Sequence, residues 1–292
     1  MNPARATAIG FAAVLMWSSL AVFTAASGRV PPFQLAAMTF GLGGGLGALS
    51  WLFRRGAAAA LRQRPAVWAL GIGGLFGYHA LYFMALRLAP PAESGLINYL
   101  WPLLIVLFSS FLPGERLRAH HLAGAALGLA GTGVLMTGRT QLGFAPEFIP
   151  GYGAAFVAAF VWAAYSVLSR RFAAVPTDTV AGFCLATALL GAIFHLFFEQ
   201  TVWPGNAGEW LAVLALGVGP VGLAFYVWDI GMKRGDVRVL GASAYAAPVL
   251  STILLVLAGY AQATPSLVLA AALIAGGGVI AAKEMIFGKS AR

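Results

Sequence analysis

GLINYLWPLL at residues 95–104 and GASAYAAPVL at 241–250 share one pattern, a glycine followed seven residues later by a proline within an apolar run. Gly95 thereby pairs with Gly241, and Pro102 with Pro248. A second pair of stretches falls at nearly the same offset: AIGFAAVLMWSSL at 8–20 lies over YGAAFVAAFVWAAY at 152–165, setting Trp17 on Trp162. Offsets of 145 and 146 residues are half of a 292-residue chain, so 1–140 and 141–292 read as one unit repeated.

Each unit is built from membrane spans. Hydrophobic residues make up 60% of the chain and charged residues only 9%, where soluble domains carry about a quarter charged. Ten stretches reach the roughly 20 residues a crossing needs: 7–27, 33–53, 66–86, 92–112, 120–137, 151–169, 179–198, 210–230, 238–258 and 267–286. The loops left over are too short for a soluble domain holding an ATPase or dehydrogenase site. Five spans per unit is an odd number, so the second unit enters the membrane from the opposite face. The expected fold is an all-α integral membrane protein of ten transmembrane helices in two inverted five-helix repeats. Secondary transporters are often built this way, with the substrate at the midplane where Gly or Pro breaks the helices. Pro102 and Pro248 each withhold an amide from a helix near mid-depth, which bends it. They are the candidate hinges. Proline is also simply tolerated in membrane helices, but the symmetric placement favours a working kink.

The charges orient the chain. A net +9 and a pI near 10.2 would suggest nucleic acid for a soluble protein. Here alternating spans place Arg5, Arg54, Arg55, Arg62, Arg64, Arg116, Arg118, Arg170, Arg171, Lys233, Arg234, Arg238, Lys283, Lys289 and Arg292 on the side of the N-terminus. Only Arg29, Arg87 and Arg139 fall on the other. Positive loops stay cytoplasmic, so both termini are expected inside, with the lipid bilayer and no nucleic acid as partner. The N-terminal run weakly resembles a signal peptide, but its counterpart later in the chain argues against cleavage. The single cysteine, Cys184, permits no intramolecular disulfide and reads as a packing residue. Gly41, Gly43, Gly44, Gly45 and Gly47, then Gly124, Gly128 and Gly131, then Gly276, Gly277 and Gly278 read as small residues that let helices approach.

No enzyme motif stands out. A phosphate-binding Gly-rich loop is missing. Gly241-Ala242-Ser243-Ala244 falls one residue short of an intramembrane serine protease motif, and His79, His120, His121 and His195 all precede it, leaving no base on a later helix. Neither a metal site nor a cofactor is indicated. What the spans do hold is polar aromatics at mid-depth: Trp17 with Ser18; Tyr78, His79 and Tyr82; Ser94, Asn98, Tyr99 and Trp101; Trp162, Tyr165 and Ser166; Tyr226 and Trp228; Ser243 and Tyr245. Tyr78 and Tyr82, four apart, share a helix face. Facing lipid, such groups would leave hydrogen-bonding atoms unpaired, and they sit too deep for interfacial anchors. Core packing is one account of them; a cavity for a ligand with an apolar body and a few polar groups is the other, and the set as a whole favours the cavity. His79 alone divides evenly between a structural and a substrate or proton contact. Glu93, Glu115, Asp229 and Glu284 lie at span ends and read as interfacial residues or partners of nearby arginines, so no deep carboxylate marks a proton or sodium carrier.

The segment ALRLAPPAESGLINYLWPLLIVLFSSFLPGERL at 85–117 and the AGAALGLAGTGVL after it resemble the drug/metabolite transporter superfamily in its EamA-type branch, and the likeness runs the length of the chain. NYLWP at 98–102 and the aromatic first, third and fourth spans resemble that branch's aromatic amino-acid exporters. The resemblance implies a bacterial inner-membrane exporter of amino acids that works by alternating access. It also implies a central cavity lined by Trp17, Tyr78, His79, Tyr82, Asn98, Tyr99 and Trp101, with Pro102 and Pro248 as bending points. Trp162, Tyr226, Ser243 and Tyr245 complete the candidate lining by depth. The second half departs from the pattern where Ala261 and Gln262 stand at the counterpart of Glu115. A drug or metabolite exporter of the same fold is the rival, although drug cations usually call for a buried acid. Ten spans with an internal repeat make a monomer self-sufficient.

Overall fold

Proline opens most of the helices, at first-turn positions where its missing amide would have no partner anyway. The computed structural model describes residues 1–54, 56–113, 117–138, 145–259 and 262–283. Among these are α1 (Pro3–Ala26), α2 (Pro32–Phe53), α3 (Pro65–Leu88), α4 (Pro91–Asn98 continued by Trp101–Ser109), α5 (Ala119–Thr137), α6 (Pro146–Phe172), α7 (Thr179–Phe198), α8 (Ala207–Arg234), α9 (Val237–Leu257) and α10 (Pro265–Ala281). Eight are long and apolar enough to cross a membrane; α4, counted from Glu93, and α10 are shorter apolar helices. No strand occurs among the described residues.

The pairing of these helices follows the sequence repeat. α1 packs on α8 as α6 packs on α3, α1 on α9 as α6 on α4, while α2 meets α7, α4 meets α9 and α5 meets α10. Glycine sets the closest approaches. A Cβ on Gly231 would stand 2.6 Å from the Cα of Gly10, one on Gly43 2.5 Å from the Cα of Gly222, and one on Gly124 2.5 Å from the Gly277 carbonyl. Not every glycine of the stripes packs: Gly45, Gly276 and Gly278 face nothing within 4 Å.

Interruptions also repeat. α4 breaks at Tyr99 and Leu100, α9 at Ala244 and Tyr245, each just ahead of its proline. α3 and α8 each contain one π-helical turn, Gly73–Gly77 and Gly219–Leu223, 146 residues apart. Such turns insert a residue and free a carbonyl, often beside functional sites.

Polar bonds tie the two ends of the bundle. At one end the Thr7 hydroxyl accepts from the Asp236 amide at 2.8 Å, the Arg170 guanidinium donates to the Gly235 carbonyl, and Arg54 pairs with Asp178 at 2.6 Å. Asp229, expected as an interfacial residue or the partner of a nearby arginine, is paired with a lysine instead. It is 3% exposed, accepts from Thr177 Oγ1 at 2.7 Å, and pairs with Lys233 Nζ at 2.8 Å, which in turn donates to the Val175 carbonyl at 2.9 Å. At the other end Glu199 caps α2, its carboxylate accepting from the amides of Phe33 at 3.0 Å and Gln34 at 3.1 Å. Glu93 is likewise buried, in the first turn of α4. Arg55, Glu115, Arg116, Arg139, Ala261, Glu284, Lys289 and Arg292 lie outside the described residues. Cys184 is fully buried in the apolar core.

Candidate functional site

Between α1, α3, α4, α6, α8 and α9 lies a cavity of about 170 Å³ walled by rings. Trp17, Tyr78, His79, Tyr82, Asn98, Tyr99, Trp101 and Trp162 line it together with Leu20, Pro220, Val221, Phe225 and Ala247. The repeat puts these side chains there. Turns of α1 and α6 carry Trp17 and Trp162 to the axis; the π turns of α3 and α8 precede Tyr78, His79 and Phe225; the break in α4 presents Asn98, Tyr99 and Trp101.

Ring geometry fixes the wall. Trp17 stands edge-on to Trp101 at 6.2 Å and to Trp162 at 5.7 Å, and Trp228 closes the cluster 5.0 Å from Trp17. Such arrangements set the positive edge of one ring on the negative face of the next. Tyr78 and Tyr82 stack, interplanar angle 10°, as their spacing along one face requires. Freed backbone is used as well. The Trp17 indole donates to the Pro220 carbonyl at 3.0 Å, linking α1 to the π turn of α8. His79 Nδ1 lies 2.7 Å from the Leu75 carbonyl of the other π turn, so that nitrogen carries a proton and Nε2 faces no partner within its own helix turn. Asn98 Nδ2 donates to the Tyr78 hydroxyl at 3.0 Å. No carboxylate and no lysine or arginine lines the cavity among the described residues. The wall suits a neutral or zwitterionic molecule with an aromatic or apolar body.

The wall is uneven along the bundle. Leu20 lies in the last third of α1, Tyr78 and Tyr82 past the midpoint of α3, and Asn98 and Tyr99 in the first half of α4, all nearer the Glu199 end, while Trp17, Trp101 and Ala247 lie near mid-helix. Toward the Thr7 end the space is filled: Trp228 donates to Ser166 Oγ at 3.1 Å with both residues buried, and Met232 and Leu240 are fully buried below them.

Three of the expected lining residues stand elsewhere. Tyr226 turns outward from α8, its hydroxyl on the Gly43 carbonyl at 3.2 Å, beside a groove it shares with Arg54 and Asp178. Ser243 lines a groove with Phe11, Leu250 and Ile274. Tyr245 is buried against Gly128 in a separate apolar cluster with Val106 and Val249. Depth alone does not set the azimuth of a side chain. Leu20, Pro220, Val221, Phe225 and Ala247 are the wall residues that polarity at mid-depth missed, and the repeat held a signal for two of them: Phe225 stands 146 residues after His79, and Ala247 146 after Trp101.

A family model described as the EamA-like transporter family matches residues 5–137 and again 149–283. An aromatic amino acid exporter, YddG, of Ancylobacter novellus is 62% identical over 282 residues, 96% of this chain and 98% of that protein. The protein of that name from Escherichia coli strain K12 is 27% identical over 275 residues, 87% and 88% of the two chains. A solved crystal structure at 61% identity superposes with a TM-score of 0.92, covering 96% of this chain and 97% of the other.

Proposed function

Because the chain belongs to the EamA-like transporter family, matched over both of its halves, we propose that it exports aromatic and other apolar amino acids by alternating access. The observation that carries this is the cavity wall: aromatic rings with a few hydrogen-bonding atoms and, among the described residues, no lysine, arginine or carboxylate. The name of the Ancylobacter relative, covered almost end to end at 62% identity, agrees with it.

In this proposal all ten helices cross the inner membrane, and 1–140 and 141–292 are two five-helix repeats of opposite sense. The twofold pattern of helix pairing and the shared interruptions support the repeats. The distribution of lysine and arginine supports cytoplasmic termini. With that orientation the Thr7 end is cytoplasmic, and the buried Trp228, Met232 and Leu240 close the cavity on that side. Trp17, Tyr78, His79, Tyr82, Asn98, Tyr99, Trp101 and Trp162 hold the substrate; Pro102 and Pro248 are the hinges; one chain is a complete transporter.

Counterflow in liposomes tests the function. Purified protein in vesicles preloaded with unlabelled phenylalanine should accumulate labelled phenylalanine above empty vesicles. Absence of counterflow for every aromatic and apolar amino acid overturns the proposal.

A further inference from the structure

Asn98 ends the first half of α4, and its side chain is 4% exposed at the cavity wall. Its Nδ2 is occupied by the Tyr78 hydroxyl. Its Oδ1 is buried without a hydrogen-bond partner. Buried polar atoms without partners are rare in native folds and call for an explanation. A neighbouring group has the same sign as this oxygen: Pro102, four residues on, brings no amide to the Asn98 carbonyl.

The repeat argues that the side chain is not needed to build the break. At the matching place before Pro248, 146 residues later, stands Ala244, fully buried. The second half makes the same interruption with a methyl group. An amide at 98 therefore calls for a partner that the protein does not supply, and the cavity has no carboxylate to meet a cation.

We infer that Asn98 Oδ1 accepts a hydrogen bond from the α-ammonium group of the bound amino acid, making Asn98 the residue that selects the amino-acid head over the ring. The inference rests on the export proposal and names the atom through which that site reads its substrate. Rings would then hold the apolar body, while this acceptor and the π faces around it hold the cation.

Binding of three ligands to the purified full chain in detergent separates the outcomes: phenylalanine, phenethylamine, which lacks the carboxylate, and 3-phenylpropanoate, which lacks the amine. Asn98→Ala should weaken phenylalanine and phenethylamine about ten- to hundredfold, the range for one hydrogen bond to a charged group, and leave 3-phenylpropanoate within about twofold. Equal losses for all three, or a loss confined to 3-phenylpropanoate, overturns the assignment, the latter by giving Asn98 to the carboxylate. Asn98→Asp supplies a second test: with an acceptor retained, phenethylamine binding should be kept or strengthened, and its loss overturns the inference. Thermal unfolding of each variant reports whether it folds. Failure of the wild type to bind any of the three counts against the export proposal itself, a different result from any of these.

Discussion

Replacing Glu199 should be the most damaging single change at its end of the bundle. Its side chain is 2% exposed. Its two oxygens accept from the Phe33 and Gln34 amides, from His195 Nδ1 at 3.0 Å, and from Arg87 Nη2 at 3.4 Å. The amides are the free first-turn donors of α2, where the helix dipole favours an anion. Glu199→Ala leaves both unpaired in residues that are only 8% and 4% exposed. Each buried orphan costs about 1–3 kcal/mol, and stripping a buried charged group from its partners typically costs about 3–5 kcal/mol in all. Glu199→Gln keeps an acceptor for the amides but loses the charge, for about 1–2 kcal/mol. Arg87, half exposed, contributes a surface-type pair, so Arg87→Ala should cost under about 1 kcal/mol. Thermal unfolding of the purified protein should rank the three variants in that order. An alanine variant at 199 no less stable than Arg87→Ala would refute the capping account.

Three further outcomes are expected. Trp101→Ala and Tyr82→Ala should each lower counterflow by roughly tenfold, about the worth of one lost aromatic contact with its buried area, while protein level in the membrane is unchanged; wild-type flux in both would return these rings to packing. Gly231→Ala, whose Cβ would press on Gly10, should destabilise by about 1–3 kcal/mol, whereas Gly45→Ala, which meets nothing within 4 Å, should be neutral or gain up to about 1 kcal/mol from helix propensity. Asp236 caps α9 with its carboxylate on the Arg238 and Val239 amides; burial alone would raise its pKa, but the Arg238 hydrogen bond and charge together with those amides hold it below the usual carboxylate range. A depressed value contributes stability above the unfolded pKa and loses it as pH falls through the folded one, so wild type should exceed Asp236→Asn by about 1 kcal/mol at neutral pH, and the gap in melting should begin to narrow as pH falls past the unfolded carboxylate value of about 3.9 and close only below the lower folded one.

Hydropathy located the helices to within a few residues because lipid demands long uninterrupted apolar runs, and that demand is written directly in composition. The α4 and α9 breaks were legible through Pro102 and Pro248, since a missing amide acts locally. The π turns at Gly73 and Gly219 were not: an inserted residue is stabilised by packing across the bundle, and only the glycines there hint at it. The site divides along similar lines. Trp17, Tyr78, His79, Tyr82, Asn98, Tyr99, Trp101 and Trp162 converge on one cavity, whereas Tyr226, Ser243 and Tyr245 share their depth but not their direction. Direction depends on how each helix is rotated by its neighbours. Phe225 shows the remedy, since the repeat carries the azimuth of His79 over to it. Asp229 shows a limit: a lysine one turn on and a threonine from the loop between α6 and α7 turned an apparent interfacial acid into a buried pair.

The uncharged cavity wall has an electrical consequence. Moving one elementary charge through the membrane field is worth about 2.3 kcal/mol per 100 mV. A wall whose described residues include no lysine, arginine or carboxylate, handling a zwitterion of zero net charge, gives that field no fixed charge to act on. A binding step at that wall is then blind to voltage. Clamping the potential of reconstituted vesicles should leave the counterflow rate unchanged.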